Sequence, residues 1–380
     1  MDPLKLAKKL ISIPSYLGSG KTEKEVGNFV YNYLKKIAYL SVQKQEVERG
    51  RFNVVARTKG KPQLLLAGHL DTVQPKTGWA VNQFAGVVKG NKLYGLGALD
   101  TKGGTAAILS AVKKFKNLSG LSLLFYCDEE YDFKGMKKFI SGSSKNEIGK
   151  LAVLAEPTDL KIWNAHRGLI EIYFTVQGRT GHAGKPQSGK NAIDGIYASL
   201  INLRAWLENF SDPTLGKPSL NIAYVRGGLN TGLRRGGEYL LGREGNNIAD
   251  FAESVIDIRP TKNILRAEKV VNQLKKYLEI NDYKMVESRI RHDFGSLYTS
   301  PKTVDNVEKI VKKIVGKIFY LDPRNKGYGD GQLIQEKHGI PVIYLGPVGQ
   351  NAHAANEFVD IDSIDKLSNI YYLLIKEYCL

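Results

Sequence analysis

Apolar residues recur at three- and four-residue spacing over Asp2–Ile13 and again over Glu23–Ala38, which predicts two amphipathic helices. Short runs rich in leucine, valine and aromatic residues follow: FNVVAR, QLLLAGHL, LYGLGA, LSLLFYC and LAVLAE. One helical stretch, Gly104–Phe115, separates two of them. The alternation predicts a mostly parallel or mixed sheet with helices on both faces. Functional groups then belong at the carboxyl ends of its strands.

The rhythm changes near His166. LIEIYFTVQG alternates as a strand does, GKNAIDGIYASLINLRAWLENF has the period of a long helix, and SLNIAYVRGG and ESVIDIRP are strands again. The helix ILRAEKVVNQLKKYLEI and the strand YKMVESRIRH complete the set. Four strands with two helices on one face make an α+β unit of their own. After Asp293 the earlier pattern resumes, with helices Val304–Val315 and Gln332–Lys337, the strand PVIYLG and a last helix Ile364–Tyr378. The expected fold is therefore an α/β, mixed-sheet domain built from residues 1–165 and 292–380, interrupted by an inserted α+β domain of residues 166–291. A length of 380 residues agrees with two domains.

Composition sharpens this picture without redirecting it. With 42% hydrophobic and 9% aromatic residues the chain can fill a large core. The longest apolar runs, Gln63–Gly68 and Leu121–Cys127, are far short of a membrane span, and the start of the chain has an amphipathic pattern rather than that of a signal peptide. Cys127 and Cys379 are too few for a disulfide framework, so a reducing cytoplasm is expected. The net charge of +17 comes from lysines scattered over helical segments such as AVKKFKNL and VEKIVKKIVGK, with no basic run interleaved with aromatics. That pattern is a solvated surface, not a nucleic-acid face, although it would steer acidic small substrates.

Five segments supply groups that bind metals. LLLAGHLDTV offers His69, with Asp71 on the same side of an extended chain, where its carboxylate can fix the imidazole. GLGALDTKGG places Asp100 among glycines that let other groups approach its backbone. FYCDEEYDFKG delivers Glu129 and Glu130 from the end of an apolar strand, LAVLAEPTD delivers Glu156, and GPVGQNAHAANEFVDI carries His353 in a Gly/Asn-rich loop. Each has a plainer reading when taken singly: a core histidine, a helix cap, a pair of surface acids, ordinary loop residues. Together, two histidines, one aspartate and two glutamates form a mixed N/O set suited to two divalent ions such as zinc. A two-metal site with an open position fits hydrolysis.

These motifs, in this order, resemble the M20 family of zinc-dependent amidohydrolases and peptidases. The likeness spans nearly the whole chain: GHLDTV, YGLGALDTKGG, DEE, AEPT, GRTGHAGKPQSGKNAI, DIRP and NAHAANE. It implies two Zn2+ ions, with Co2+ or Mn2+ as substitutes. Asp100 would bridge them, His69 and Glu156 completing one ligand set, Glu130 and His353 the other. It also implies Glu129 as general base, Asp71 beside the metal-bound histidine, and a cis peptide just after Asp100. The inserted domain corresponds to the family's lid or dimerisation domain. His182 in GRTGHAGKP matches a histidine that stabilises the oxyanion, in dimeric members from the partner subunit, and Asn246 matches a substrate-contacting asparagine. Arg259 in VIDIRP is placed to hold a substrate carboxylate or to pair at the surface. Where many members have Gly-Thr-Ser-Asp-x-Arg, this chain has GYGDGQL, so Gln332 replaces the arginine that grips the substrate's carboxylate. A neutral amide provides no charge-assisted clamp.

The expected activity is cleavage of an N-acyl amino acid by a cytoplasmic di-zinc homodimer. The alternatives are a carboxypeptidase or dipeptidase of the same family, or a hydrolase of an amino acid held on an acidic carrier protein.

Overall fold

The computed structural model describes residues 2–18, 22–325 and 327–380. It divides into two compact units, Met1–Ala165 with Tyr298–Asn325 and Gly329–Leu380, and His166–Leu297 with Lys326–Tyr328.

The first unit is built on a six-stranded mixed sheet. Its order is Ser41–Glu48, Arg51–Arg57, Ser119–Tyr126, Lys59–His69, Leu151–Leu154, Val342–Tyr344. The last four run parallel, and the first two form an antiparallel edge. On one face, alternate residues Val54, Ala56, Leu64, Leu66, Leu121, Leu123, Leu151 and Val153 join helices Pro3–Ile11, Lys24–Leu34, Gly103–Lys113, Asp305–Val315 and Ile361–Cys379 in one apolar cluster. The intervening residues Val55, Leu65, Ala67, Leu124, Ala152 and Leu154 are equally buried. Both faces are thus covered, which is why these strands are apolar throughout rather than alternating. Helix Gly103–Lys113 is mostly apolar and buried from Gly103 through Val112 for the same reason. Side-chain caps start the outer helices: Asp2 accepts from the Leu4 N–H ahead of Pro3, and Asp360 accepts from that of Ser363.

Two features depart from the pattern in the sequence. The edge strand Ser41–Glu48, SVQKQEVE, is polar because it sits at the sheet margin, where most of its side chains meet water. The LYGLGA run is a strand only over Lys92–Tyr94, and Gly97, at φ 77°, turns the chain away. Lys92–Tyr94 pairs instead with Phe358–Asp360 in a small four-stranded sheet that includes Val87–Lys89 and Gly349–Gln350.

The second unit is an antiparallel sheet ordered Glu238–Gly242, Ser219–Arg235, Phe251–Arg259, Leu169–Gln177, Lys284–Phe294. Its alternate residues Ile170, Ile172, Phe174 and Val176 pack with Ala252, Ile256 and Ile258 against helices Ala192–Leu207 and Ala267–Ile280. The four expected strands are neighbours, and a fifth, Glu238–Gly242, is added as a hairpin that turns at Gly236 and Gly237, both at positive φ.

Candidate metal centre

Three of the parallel strands end in candidate ligands or lead into them. Lys59–His69 finishes on His69, Ser119–Tyr126 runs on to Glu129 and Glu130, and Leu151–Leu154 runs on to Glu156. Because the strands are parallel, these groups emerge at one edge of the sheet. Asp100 enters from the turn Ala98–Lys102 that starts the buried helix, and its peptide bond to Thr101 is cis. Gly104 lets that helix lie against Ala155, where an added Cβ would come within 2.7 Å of the Ala155 carbonyl oxygen. His353 comes from the loop between Gly349–Gln350 and Phe358–Asp360, at a left-handed φ of 64°.

The five expected ligands meet. His69 Nε2 lies 3.0 Å from Asp100 Oδ1, while His353 Nε2 lies 3.2 Å from Asp100 Oδ2 and 3.1 Å from Glu130 Oε2. Asp100 therefore turns one carboxylate oxygen toward each histidine. Ligand atoms of His69, Asp100 and Glu156 fall within 4.8 Å of one another, as do those of Asp100, Glu130 and His353. Glu129 is not apart from this set, since it forms a third such group with His69 and Glu130. One buried oxygen of Glu156, Oε1, has no hydrogen-bond partner among the described residues. A buried carboxyl oxygen left unpaired beside imidazole and carboxylate groups fits a divalent cation.

The electrostatics agree with that fit. Burial pushes Glu156 well above the ordinary carboxylate range, as it does Glu129, where the charges of Glu156 and Asp330 add to the effect. Glu130 is raised by burial too, against the pull of His353. Burial would lower His69, yet the Asp100 and Asp71 carboxylates hold it well above its usual value. Hydrogen bonds that His353 donates to the Asp100 and Glu130 carboxylates carry it up to about 10. Burial works against the Asp100 charge, but His353 and His69 keep that carboxyl low.

Supporting groups hold these side chains in place. His69 Nδ1 lies 3.0 Å from the backbone carbonyl oxygen of Asp71 and 3.6 Å from its carboxylate. The expected carboxylate thus stays beside the imidazole at ion-pair distance, while the Asp71 carbonyl oxygen is nearer. That carboxylate accepts the N–H groups of Glu129 (3.1 Å) and Glu130 (2.9 Å). Beneath that loop Arg51 joins Glu23 and Asp128 at 2.6 Å each, and Asp128 accepts the N–H groups of Asp132 and Lys134. Glu357, buried, accepts three N–H groups from the Asp100 turn. Asp330 is buried and accepts from the Tyr126 hydroxyl, with burial raising it to about 7. The sequence signals were slight: Asp128 precedes the glutamate pair, Glu357 follows His353 by four residues, and nothing marks Arg51.

In the second unit His182 is exposed, and its Nδ1 accepts the Gly184 N–H at 3.0 Å, which leaves Nε2 as the protonated, donating nitrogen. Asn246 is beside it, its carbonyl accepting the Ala183 N–H at 2.8 Å. Arg259 forks onto Asp257, two residues back on the same strand, at 2.8 and 3.0 Å. In the first unit Gln332 is buried, its amide donating to Glu336 at 2.7 Å. Gln332 carries no charge, and one edge of the Arg259 guanidinium is given to Asp257.

Comparison with known proteins places this arrangement. Residues 65–377 match the model of peptidase family M20/M25/M40. Acetylornithine deacetylase of Buchnera aphidicola subsp. Schizaphis graminum is 29% identical over 400 aligned positions, covering 99% of this chain and 98% of the relative. That of Photorhabdus laumondii is 28% identical, with 99% and 97% covered. Among solved structures, the M20 family metallo-carboxypeptidase Sso-CP2 from Sulfolobus solfataricus superimposes with a TM-score of 0.79 at 19% identity over 100% of this chain and 99% of that one. Aminopeptidase PepT from Bacillus cereus gives 0.77 at 17% identity, with 99% and 98% covered. At such identities these two show the fold.

Proposed function

The chain belongs to the M20/M25/M40 peptidases and is a metal-dependent amide hydrolase, and we propose that it works with two zinc ions on N-acyl amino acids. The observation that carries this reading is the pair of donor sets sharing Asp100. His69, Asp100 and Glu156 would hold one ion, and Asp100, Glu130 and His353 the other. When bound, the ions supply Lewis-acid polarisation of the scissile carbonyl and lower the pKa of a water toward about 7.

The chain's own groups do the rest. Glu129, raised by burial and by neighbouring carboxylates, has the proton affinity of a base that takes a proton from the attacking water and returns it to the departing nitrogen. Asp71 fixes the backbone of both glutamates, which seats Glu129 beside His69 and Glu130. His182, as the Nε2–H tautomer, is the donor assigned to the developing oxyanion, and Asn246 beside it is assigned to the substrate. With one edge of the Arg259 guanidinium given to Asp257 and Gln332 neutral, recognition of a substrate carboxylate falls to the remaining Arg259 N–H groups or to another cation.

The relatives named acetylornithine deacetylase support deacylation over peptide cleavage. A panel of N-acetyl- and N-succinyl-amino acids beside dipeptides and carboxypeptidase substrates, each with zinc, cobalt or manganese, tests this. Turnover confined to the acylated amino acids is expected. Turnover confined to peptides would replace the reading with a peptidase.

A homodimer through the inserted unit completes the proposal. Strand Ser219–Arg235 pairs with Glu238–Gly242 only from Leu229 onward, so among the described residues the outer edge before it has no strand partner. Ile222, Tyr224 and Val225 are exposed on that strand, as are Tyr197 and Ile201 on helix Ala192–Leu207. An open strand edge flanked by apolar side chains is a natural surface for a second copy.

A further inference from the structure

Glu357 is a buried acid that the hydrolytic scheme leaves unused. Its Oε2 accepts the Gly97 N–H at 2.8 Å, and its Oε1 accepts those of Leu99 at 2.8 Å and Asp100 at 3.0 Å. The side chain is 1% exposed. Three amides of one short turn thus converge on a single carboxylate lying 257 residues from Asp100 in sequence. Burial and the Asp100 charge raise Glu357 to about 8, while these three N–H groups favour its charged form, in which such bonds are strong.

The surrounding structure adds to the hold. The Gly95 N–H donates to the Glu357 backbone carbonyl at 3.1 Å, continuing the ladder in which Phe358 faces Tyr94. Asn356, the residue before, accepts from the Ala80 N–H at 2.8 Å and donates to the Gly78 carbonyl at 3.1 Å. Lys102, at the other end of the turn, is also buried and anchors on the Ile13 carbonyl at 2.8 Å. The turn is therefore gripped at both ends, with Asp100 between the grips. One loop carries both His353 and Glu357, so whatever seats the histidine also seats the clamp.

We propose that Glu357 is a positioning residue for Asp100: through three backbone N–H groups it holds the carboxylate with one oxygen facing each donor set, and so couples the two metal positions. The inference rests on the two-ion reading above. Loss of an outer partner of a metal site typically reduces metal affinity or activity by about 10- to 100-fold. Glu357→Gln puts an NH2 group against one or more backbone donors. Glu357→Asp keeps the charge and withdraws it by a methylene.

The test is a cobalt titration of wild type and both variants, followed by visible absorption and calorimetry, with kcat and KM measured on the same preparations. Folded variants are expected to bind at least one ion about 10- to 100-fold more weakly, with altered d–d bands and a lower kcat at unchanged KM. A stability loss with wild-type affinity, spectrum and kcat in either folded variant would make Glu357 a purely structural group and overturn the inference. Amide exchange in the metal-free wild type decides independently of how the variants fold: protection at Leu99 and Asp100 equal to that of the core strands is expected, and rapid exchange there would refute the clamp. A wild type that binds no second ion defeats the two-ion reading instead, so the two failures are distinct.

Discussion

At the scale of single residues, the candidate ligands were legible only as a set: each stands where an apolar strand stops or in a glycine-rich turn or loop, each has a plainer reading singly, and five such segments in one chain do not. Their supporters were not. Arg51, Asp128 and Glu357 act on backbone groups or on each other across long sequence separations, and no local spacing encodes such a contact. Asp71 shows the same limit, since its neighbour His69 suggested the imidazole pairing alone while the fold adds two amides of another strand's loop. If Glu129 is the base, Glu129→Gln keeps its metals and loses about 10²- to 10⁴-fold in kcat; a variant that keeps its turnover would return the role to another group. The metal-free cluster also fixes a pH dependence. His353 and His69 titrate above their ordinary value of 6.5, and Glu156 and Glu130 above 4.5, so at neutral pH ions must displace protons. Apparent zinc affinity therefore rises with pH, by about tenfold per unit for each proton released. Calorimetry in buffers of different ionisation enthalpy counts those protons, and an affinity flat from pH 6 to 8 would contradict the assignment.

At the scale of elements, strands buried on both faces announced themselves as apolar runs, and the amphipathic helices by their period. The polar edge strand Ser41–Glu48 escaped because a margin strand has little to bury, and the hairpin to Glu238–Gly242 because its partner residues are mostly exposed on both sides. The loop after strand Ser119–Tyr126 depends on a buried ion network rather than on apolar packing. Arg51→Met leaves the Glu23 and Asp128 carboxylates buried without their cation, which is expected to lower stability by about 3–5 kcal/mol. Urea unfolding measures this. A loss below 1 kcal/mol would mean that water reaches those acids.

At the scale of the whole molecule, the sequence showed an inserted α+β unit by a change of rhythm from continuous to alternating apolar strands. Nothing in composition foretold which surface of that unit is unpartnered; that required the sheet order. The proposed dimer predicts a particle of twice the 42.2 kDa chain mass by light scattering, and Ile201→Asp should yield monomers without loss of the fold. A wild type that scatters as a monomer would leave the open edge unexplained. The central claim remains that Asp100 stands between two cations. Anomalous diffraction at the zinc edge from crystals grown with zinc tests it most directly: two peaks are expected, one bounded by His69, Asp100 and Glu156, the other by Asp100, Glu130 and His353. A single peak, or two peaks of which only one touches Asp100, would contradict it.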